Sequence, residues 1–294
     1  MSPSSDGVPE RDADPARAAD PDGFSPDWLA LREAADARAR SAELARLLAA
    51  AARSHRGDPL IVHDLGCGTG SMGRWLVPRL AGPQHWVLHD RDPELLARAA
   101  ASLPATAADG APVTIETRPG DVTRLTAADL DGAGCVTASA LLDLFTDREV
   151  TGLAAACTGA GCPALLTLSV VGQVELSPAD PLDAEVAAAF DAHQRRATRG
   201  RQLLGPDAVA ATAAAFAARG ARVHVRSSPW RLGAGDAGLA AAWLQGWVEA
   251  AAELRPDLPA GAYLGRRLAD AAAGRLTVVV HHADLFAEPR ADLS

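Results

Sequence analysis

Lysine and asparagine are absent from this chain: all 28 basic residues among its 294 are arginine. Alanine, glycine, proline and arginine are abundant instead, a bias that genome base composition explains without any special chemistry. Acidic residues outnumber basic ones, 37 to 28, for a formal net charge of −9. That balance argues against a nucleic-acid partner, for which a basic surface is expected, although a local basic patch remains compatible with it. There are only four cysteines, Cys67, Cys135, Cys157 and Cys162. None forms a C-x-x-C pair and no His/Cys spacing suggests zinc, so no metal is expected. Free thiols in a reducing cytosol are the default, which makes the cytoplasm the expected compartment. No run of 18 apolar residues lacks charge, and no basic stretch at the start is followed by an apolar one. Neither a membrane span nor a signal peptide is therefore expected.

The chain is nearly half hydrophobic, enough for one large core. Residues 1–24 hold almost no large apolar side chains and read as a disordered tail. Ser25-Pro26-Asp27 looks like a cap followed by proline at the first helical position, with helices expected over 26–34 and 37–53. Strand patterns follow at 60–64, 85–90, 112–117, 134–139, 163–170, 221–227 and 275–283. Helical patterns lie at 71–80, 93–102, 147–158, 205–219, 237–254 and 260–273. Alternating strands and helices predict a doubly wound α/β sheet, mostly parallel, within one domain over 25–290. Two segments exceed a minimal fold of this kind, 172–205 and 232–274, and both read as helical insertions at a sheet end.

The most informative stretch runs from Ile61 to Gly70, I-V-H-D-L-G-C-G-T-G. A buried strand ends on Asp64, three glycines follow at alternate positions, and an amphipathic helix begins at Ser71. This arrangement brings backbone N–H groups against a nucleotide-like ligand with no side chain in between. Gly68, Gly70 and Gly73 also fit G-x-G-x-x-G, the dinucleotide fingerprint, which by itself is weak. His85 to Asp90 reads as a second strand ending in an acid. Gly120-Asp121-Val122 places another acid after the third. Asp92, ahead of Pro93 and Glu94, reads as a helix cap. Thr146-Asp147-Arg148-Glu149 reads as a capping box, which leaves 139–145 as a short connection at the carboxyl edge of the sheet.

The register of Asp64, Asp90 and Asp121 with the glycines resembles the class I S-adenosyl-L-methionine (SAM) dependent methyltransferases, over roughly residues 37–285. That resemblance implies a seven-stranded sheet whose last strand is antiparallel, and SAM as cofactor. It implies that Gly66, Gly68 and Gly70 let the backbone approach the methionine part, with Asp64 near its ammonium group. Asp90 would take the ribose hydroxyls, Asp121 and Val122 the adenine edge, and Ser139 and Leu141 would flank the cofactor. The missing asparagine excludes the N-P-P-Y motif of many amino-methylating members of the family, and no D-P-P-Y occurs.

The acceptor side carries a weaker signal. A small-molecule acceptor methylated on O or N fits best. A catalytically silent SAM-binding protein, an RNA methyltransferase and a nicotinamide-dependent oxidoreductase are the alternatives. Asp143 and His193 are the candidate catalytic residues, with His281 and His282 as further histidines. His193-Gln194-Arg195-Arg196, with Arg199 and Arg201, forms a basic run that reads as a solvated face or as an anion site. Arg195, Arg196 and Arg231 are the candidate substrate residues. Trp230, Trp243, Trp247 and Tyr263 read as core.

Overall fold

Apolar runs of four to six residues between glycine turns can bury both faces, and here they form the centre of one sheet. The computed structural model describes residues 24–54, 59–198 and 200–290. The tail expected over 1–24 lies, except for its last residue, outside the described residues. In chain order the strands are β1 (Leu60–Leu65), β2 (Gln84–Asp90), β3 (Val113–Pro119), β4 (Cys135–Ser139) and β5 (Ala164–Ser177), followed by β6 (Ala197–Thr198), β7 (Arg201–Gln202), β8 (Arg222–Ser227), β9 (Trp230–Leu232) and β10 (Thr277–Glu288). The helices are α1 (Pro26–Ala39), α2 (Ala42–Ser54), α3 (Ser71–Leu76), α4 (Pro93–Ser102) and α5 (Asp147–Gly159), then α6 (Asp183–Gln194), α7 (Ala208–Ala217), α8 (Ala237–Leu254) and α9 (Ala260–Ala272).

The main sheet has the order β3-β2-β1-β4-β5-β10-β8, with β9 also paired to β10. Neighbours from β3 to β5 are parallel, and β10 is antiparallel to β5, β8 and β9. The fold is thus the doubly wound, mostly parallel α/β sheet the sequence predicts, with its last strand antiparallel and one short strand added. The order reverses between β1 and β4, so the loops after these two strands open a crevice at the carboxyl edge.

Two apolar cores cover the two faces. One holds Leu44, Leu48, Leu76 and Trp86, the other Leu65, Phe145, Val150 and Phe216. Leu44 and Leu48, four residues apart on α2, are fully buried. Each contributes about 1.5–3 kcal/mol relative to exposure. A third core lies beyond the edge. β5 pairs with β4 only over Ala164–Thr167, then runs on to Ser177 beside the first half of β10. This ribbon carries a helical cover built on Trp230, Leu239, Leu244, Trp247 and Tyr263.

Several boundaries differ from expectation. α1 runs to Ala39 rather than stopping at 34, because the break comes at Arg40, whose ψ of 136° leaves the helix. β5 extends seven residues beyond 170, so the first insertion begins after Ser177. β9 is too short to give a periodic signal and was not expected. No helix among the described residues is long and apolar enough to cross a membrane.

Candidate active site

The glycine loop is built from φ angles that side chains rarely adopt: +62° at Gly66, +54° at Gly68 and +90° at Gly70. Asp90, at the end of β2, holds the loop. Its Oδ2 accepts the Gly68 N–H at 2.9 Å, and its Oδ1 accepts the Asp92 N–H at 3.0 Å. Two amide bonds leave part of this half-buried carboxylate's lone-pair capacity available. Asp92 does separate work: its Oδ1 accepts the Glu94 N–H at 2.8 Å and caps α4.

Asp64 pairs in register with Thr137 of β4, and its Oδ1 accepts the Thr137 hydroxyl at 2.8 Å. Its Oδ2 is buried and makes no hydrogen bond. Burial pushes this carboxyl up to about 7, against the Thr137 bond. Ser139, two residues along β4, accepts at 3.0 Å from Nη2 of Arg40, which also reaches Ser71 Oγ at 2.9 Å. Arg40 is buried, and its Nε has no partner.

After β4 the backbone is strained. Ala140 has φ +52°, and Leu168 on neighbouring β5 has φ +58°. Such conformations cost about 1–2 kcal/mol per residue, and they cluster at functional sites. Asp284 secures the second: its Oδ1 accepts the Leu168 N–H at 2.8 Å and its Oδ2 the Ser41 N–H at 2.7 Å. The Arg40-Ser41 corner is thereby tied to β10 at its second irregularity, between Ala283 and Leu285.

α1 crosses above the loop. A Cβ on Gly68 would meet Leu29 at 3.2 Å, and one on Gly66 would meet Leu141 at 3.1 Å. The helix packs Trp28, Ala35 and Ala39 on the third core and adds polar ties. Glu33 pairs with Arg74 at 2.6 Å, and Asp36 accepts from Arg32 at 3.0 Å and from Trp230 Nε1 at 2.9 Å. The Arg32 guanidinium lies 4.9 Å from the Trp230 ring and 5.9 Å from that of Trp28, a cation–π arrangement. Asp143, half-buried in the 3-10 turn after β4, makes no hydrogen bond to the side chain of another described residue. Burial pushes its carboxyl up to about 6.

The structure brings Asp64, Gly66, Gly68, Gly70, Asp90, Ser139 and Leu141 together at the carboxyl edge. Asp121 and Val122 line a nearby recess with His89 and Arg118. The Asp121 carboxylate there accepts from the Thr123 N–H at 3.0 Å. Beneath, His63 Nδ1 and His89 Nε2 lie 3.0 Å apart.

Four expected residues are placed elsewhere. His193 sits in the last turn of α6, with Nε2 against Glu253 at 2.9 Å and Nδ1 against Arg196 at 2.8 Å, so both ring nitrogens are engaged. Arg195 forms a two-pronged pair with Asp207 on the surface. Arg196 turns back onto the carbonyl of His193 at the helix end. Arg231 is the outward, exposed residue of β9, between buried Trp230 and Leu232. The three arginines form no common anion site, because α6 turns its basic end onto its own surroundings and strand alternation sends Arg231 outward. His281 likewise pairs with Glu175 at 2.8 Å on the surface, while His282 is buried against Trp230.

A family model described as a methyltransferase domain matches residues 62–160. It spans the glycine loop, both strand-end acids and the crevice. Residues 62–160 carry a methyltransferase domain. The methyl donor of this family is SAM. A comparison with curated protein sequences finds no match. Among solved structures the methyltransferase is similar to a cyclopropane synthase from Mycobacterium tuberculosis, at 12% identity over 90% of this chain and 94% of that one, with a TM-score of 0.48. It is similar to a SAM-dependent methyltransferase from Geobacter sulfurreducens bound to S-adenosyl-L-homocysteine (SAH), at 17% identity over 90% and 99% of the two chains, with a TM-score of 0.41. A third match is the magnesium protoporphyrin IX methyltransferase of Synechocystis, also with SAH, at 15% identity over 64% and 75%, with a TM-score of 0.39.

The residues of this methyltransferase fit the cofactor on their own evidence. A Cβ at Gly66 or Gly68 would press on Leu141 or Leu29, so the loop tolerates only glycine there, and a buried carboxylate oxygen of Asp64 lacks a donor. Sequence reasoning overlooked Arg32 and Arg40, and it read Trp230 as core without its bond to Asp36. Their signal is faint, because isolated arginines on a polar helix read as solvated, and β9 is only three residues long.

Proposed function

We propose that this enzyme transfers the SAM methyl group to an oxygen or nitrogen of a small-molecule acceptor. When bound, SAM supplies an electrophilic methyl carbon, open to in-line attack. Gly66, Gly68 and Gly70 admit the methionine part, Asp64 faces its ammonium group and Asp90 takes the ribose hydroxyls with charge-assisted bonds. Asp121 and Val122 meet the adenine edge, and Ser139 and Leu141 flank the sulfur end. Positioning supplies much of the rate in such a displacement. Asp143 takes the proton from an acceptor that arrives protonated, and its raised pKa suits a base near neutral pH.

One observation carries the choice of a small acceptor: α1 roofs the glycine loop, with Leu29 against Gly68. The loop is thus covered by an element of this chain, and Arg32 lies near enough to Asp143 to act on its carboxyl. The net charge of −9 agrees, since it gives no attraction for a polyanionic strand. The test is turnover. The enzyme is incubated with methyl-labelled SAM and fractionated small-metabolite pools, and SAH release is recorded together with the labelled product. Label in a small metabolite is expected. SAH binding with no turnover across all pools would instead favour a silent SAM-binding protein, and label only in added RNA would overturn the choice of acceptor.

A further inference from the structure

Asp143 is placed by its backbone alone. Its carboxylate bonds its own N–H and no side chain of another described residue. The turn that carries it, Leu142–Leu144, follows the strained Ala140 and leads into the cap of α5. Leu142 and Phe145, on either side, are buried and set its depth in the core. Its tilt needs polar ties as well, because strain such as that at Ala140 persists only where the surroundings over-determine the backbone.

One arginine supplies most of those ties. Arg201, on β7 in the first insertion, donates from Nη2 to the Leu144 carbonyl at 2.9 Å. The same nitrogen meets Glu149 Oε2 at 2.7 Å, and Arg201 Nε meets Glu149 Oε1 at 3.0 Å. Glu149 in turn accepts the Thr146 N–H at 2.8 Å, which closes the capping box of α5. Further along the insertion, the Leu204 N–H donates to the Phe145 carbonyl at 2.8 Å. Residues 144–146, which follow Asp143 directly, are thus all tied to 201–204, either directly or through Glu149. The planar guanidinium fork suits this task, since it spans both oxygens of one carboxylate and still reaches a carbonyl. Arg195 and Arg196 of the same basic run make no such tie: the first pairs with Asp207 and the second turns onto His193.

We infer that Arg201 is a positioning residue: it fixes the turn that carries Asp143, so that the insertion after β5 sets where the acceptor's proton is taken. This rests on the proposed role of Asp143 as base. Arg201 acts through the backbone and not through its charge. The cation that bears on the Asp143 carboxyl is Arg32, and Arg201 is not among the groups that shift it. The sign of any change separates the two routes. Loss of a nearby cation raises a carboxyl, whereas relaxed burial lowers it.

The test follows the Asp143 carboxyl by carbon-13 NMR in the full-length enzyme labelled at its aspartate carboxyls, with Asp143→Asn to assign the signal, and it needs no acceptor. Wild type should titrate at about pH 6. In Arg201→Met the midpoint should fall by about one pH unit as water reaches the turn. Arg201→Lys, a point charge without the fork, should lie between the two. Glu149→Gln can still cap Thr146 but loses the ion pair, so it should shift the midpoint the same way, and it decides if Arg201→Met fails to fold by circular dichroism. In both clamp variants SAH affinity by calorimetry should stay within about threefold, while SAH release with the most active metabolite pool should drop by about 10- to 100-fold, as for a misplaced catalytic group. A wild-type midpoint in Arg201→Met and Glu149→Gln, or one that rises, would overturn the inference and leave Arg201 a surface brace. Full SAH release by Asp143→Asn would instead refute Asp143 as the base, whatever the midpoints show.

Discussion

Leu29 of α1 lies against Gly68, close enough that a Cβ on the glycine would stand 3.2 Å from its Cδ1. Gly68 also has φ +54°, a conformation costing other L residues about 1–2 kcal/mol. Gly68→Ala is therefore expected to lower stability by about that amount and to weaken SAH binding. Adding Leu29→Ala should relieve the contact but leave the backbone cost. Thermal unfolding of wild type and the two variants checks this. Full recovery by Leu29→Ala would show that the φ angle imposes no strain.

Asp143 has its carboxyl raised by burial to about 6. A base must be deprotonated to act, so kcat/KM for the labelled acceptor should rise about tenfold per pH unit below about pH 6 and level off above. Asp143→Asn should abolish that limb and lower kcat/KM by about 10²- to 10⁴-fold, with SAH affinity nearly unchanged. An unaltered profile in the variant would show that the acceptor arrives already deprotonated.

The histidine pair beneath the site gives a stability prediction of definite sign. Burial lowers His63 and His89 to about 4, from an ordinary value near 6.5. Between these values the unfolded chain binds protons that the folded chain does not, so stability is present above about pH 6.5 and is lost as pH falls toward 4. Each imidazole contributes roughly 1.4 kcal/mol per pH unit over that window. Asp64 and Asp143, with raised values, act in the opposite sense, so the test is a difference. The double variant His63→Phe/His89→Phe should lose stability less steeply than wild type from pH 6.5 to 4. Parallel melting curves would mean that the two rings are protonated at no cost in the fold.

The sheet and the cofactor loop were legible because their signals are local. Glycines at alternate positions, an acid at a strand end and Asp92 ahead of Pro93 all act through neighbours in sequence, and the geometry at Gly68, Asp90 and Asp92 follows those short-range rules. The ties that hold the first helix and Arg40 over the crevice were not legible because they are long-range contacts. Trp230 meets Asp36 across 194 residues, and Arg40 meets Ser139 across 99. A basic run at 193–201 gave the stronger local signal, yet among its described residues (Arg199 lies outside them) His193, Arg195 and Arg201 face Glu253, Asp207 and Glu149. Arg40 carried no pattern at all, since nothing about a single arginine after a helix tells that the chain will fold β4 beneath it.

The central claim, that the glycine loop and Asp90 hold SAM, is tested most directly by titrating SAH and NAD into wild type, Asp90→Ala and Asp92→Ala. Two charge-assisted bonds to ribose are worth roughly 2–4 kcal/mol together, so Asp90→Ala should weaken SAH by about 30- to 1000-fold. Asp92→Ala should leave binding intact and cost about 1 kcal/mol of stability as a lost helix cap. Wild type should bind SAH and ignore NAD. NAD binding without SAH binding, or loss of SAH affinity in Asp92→Ala but not in Asp90→Ala, would contradict the account.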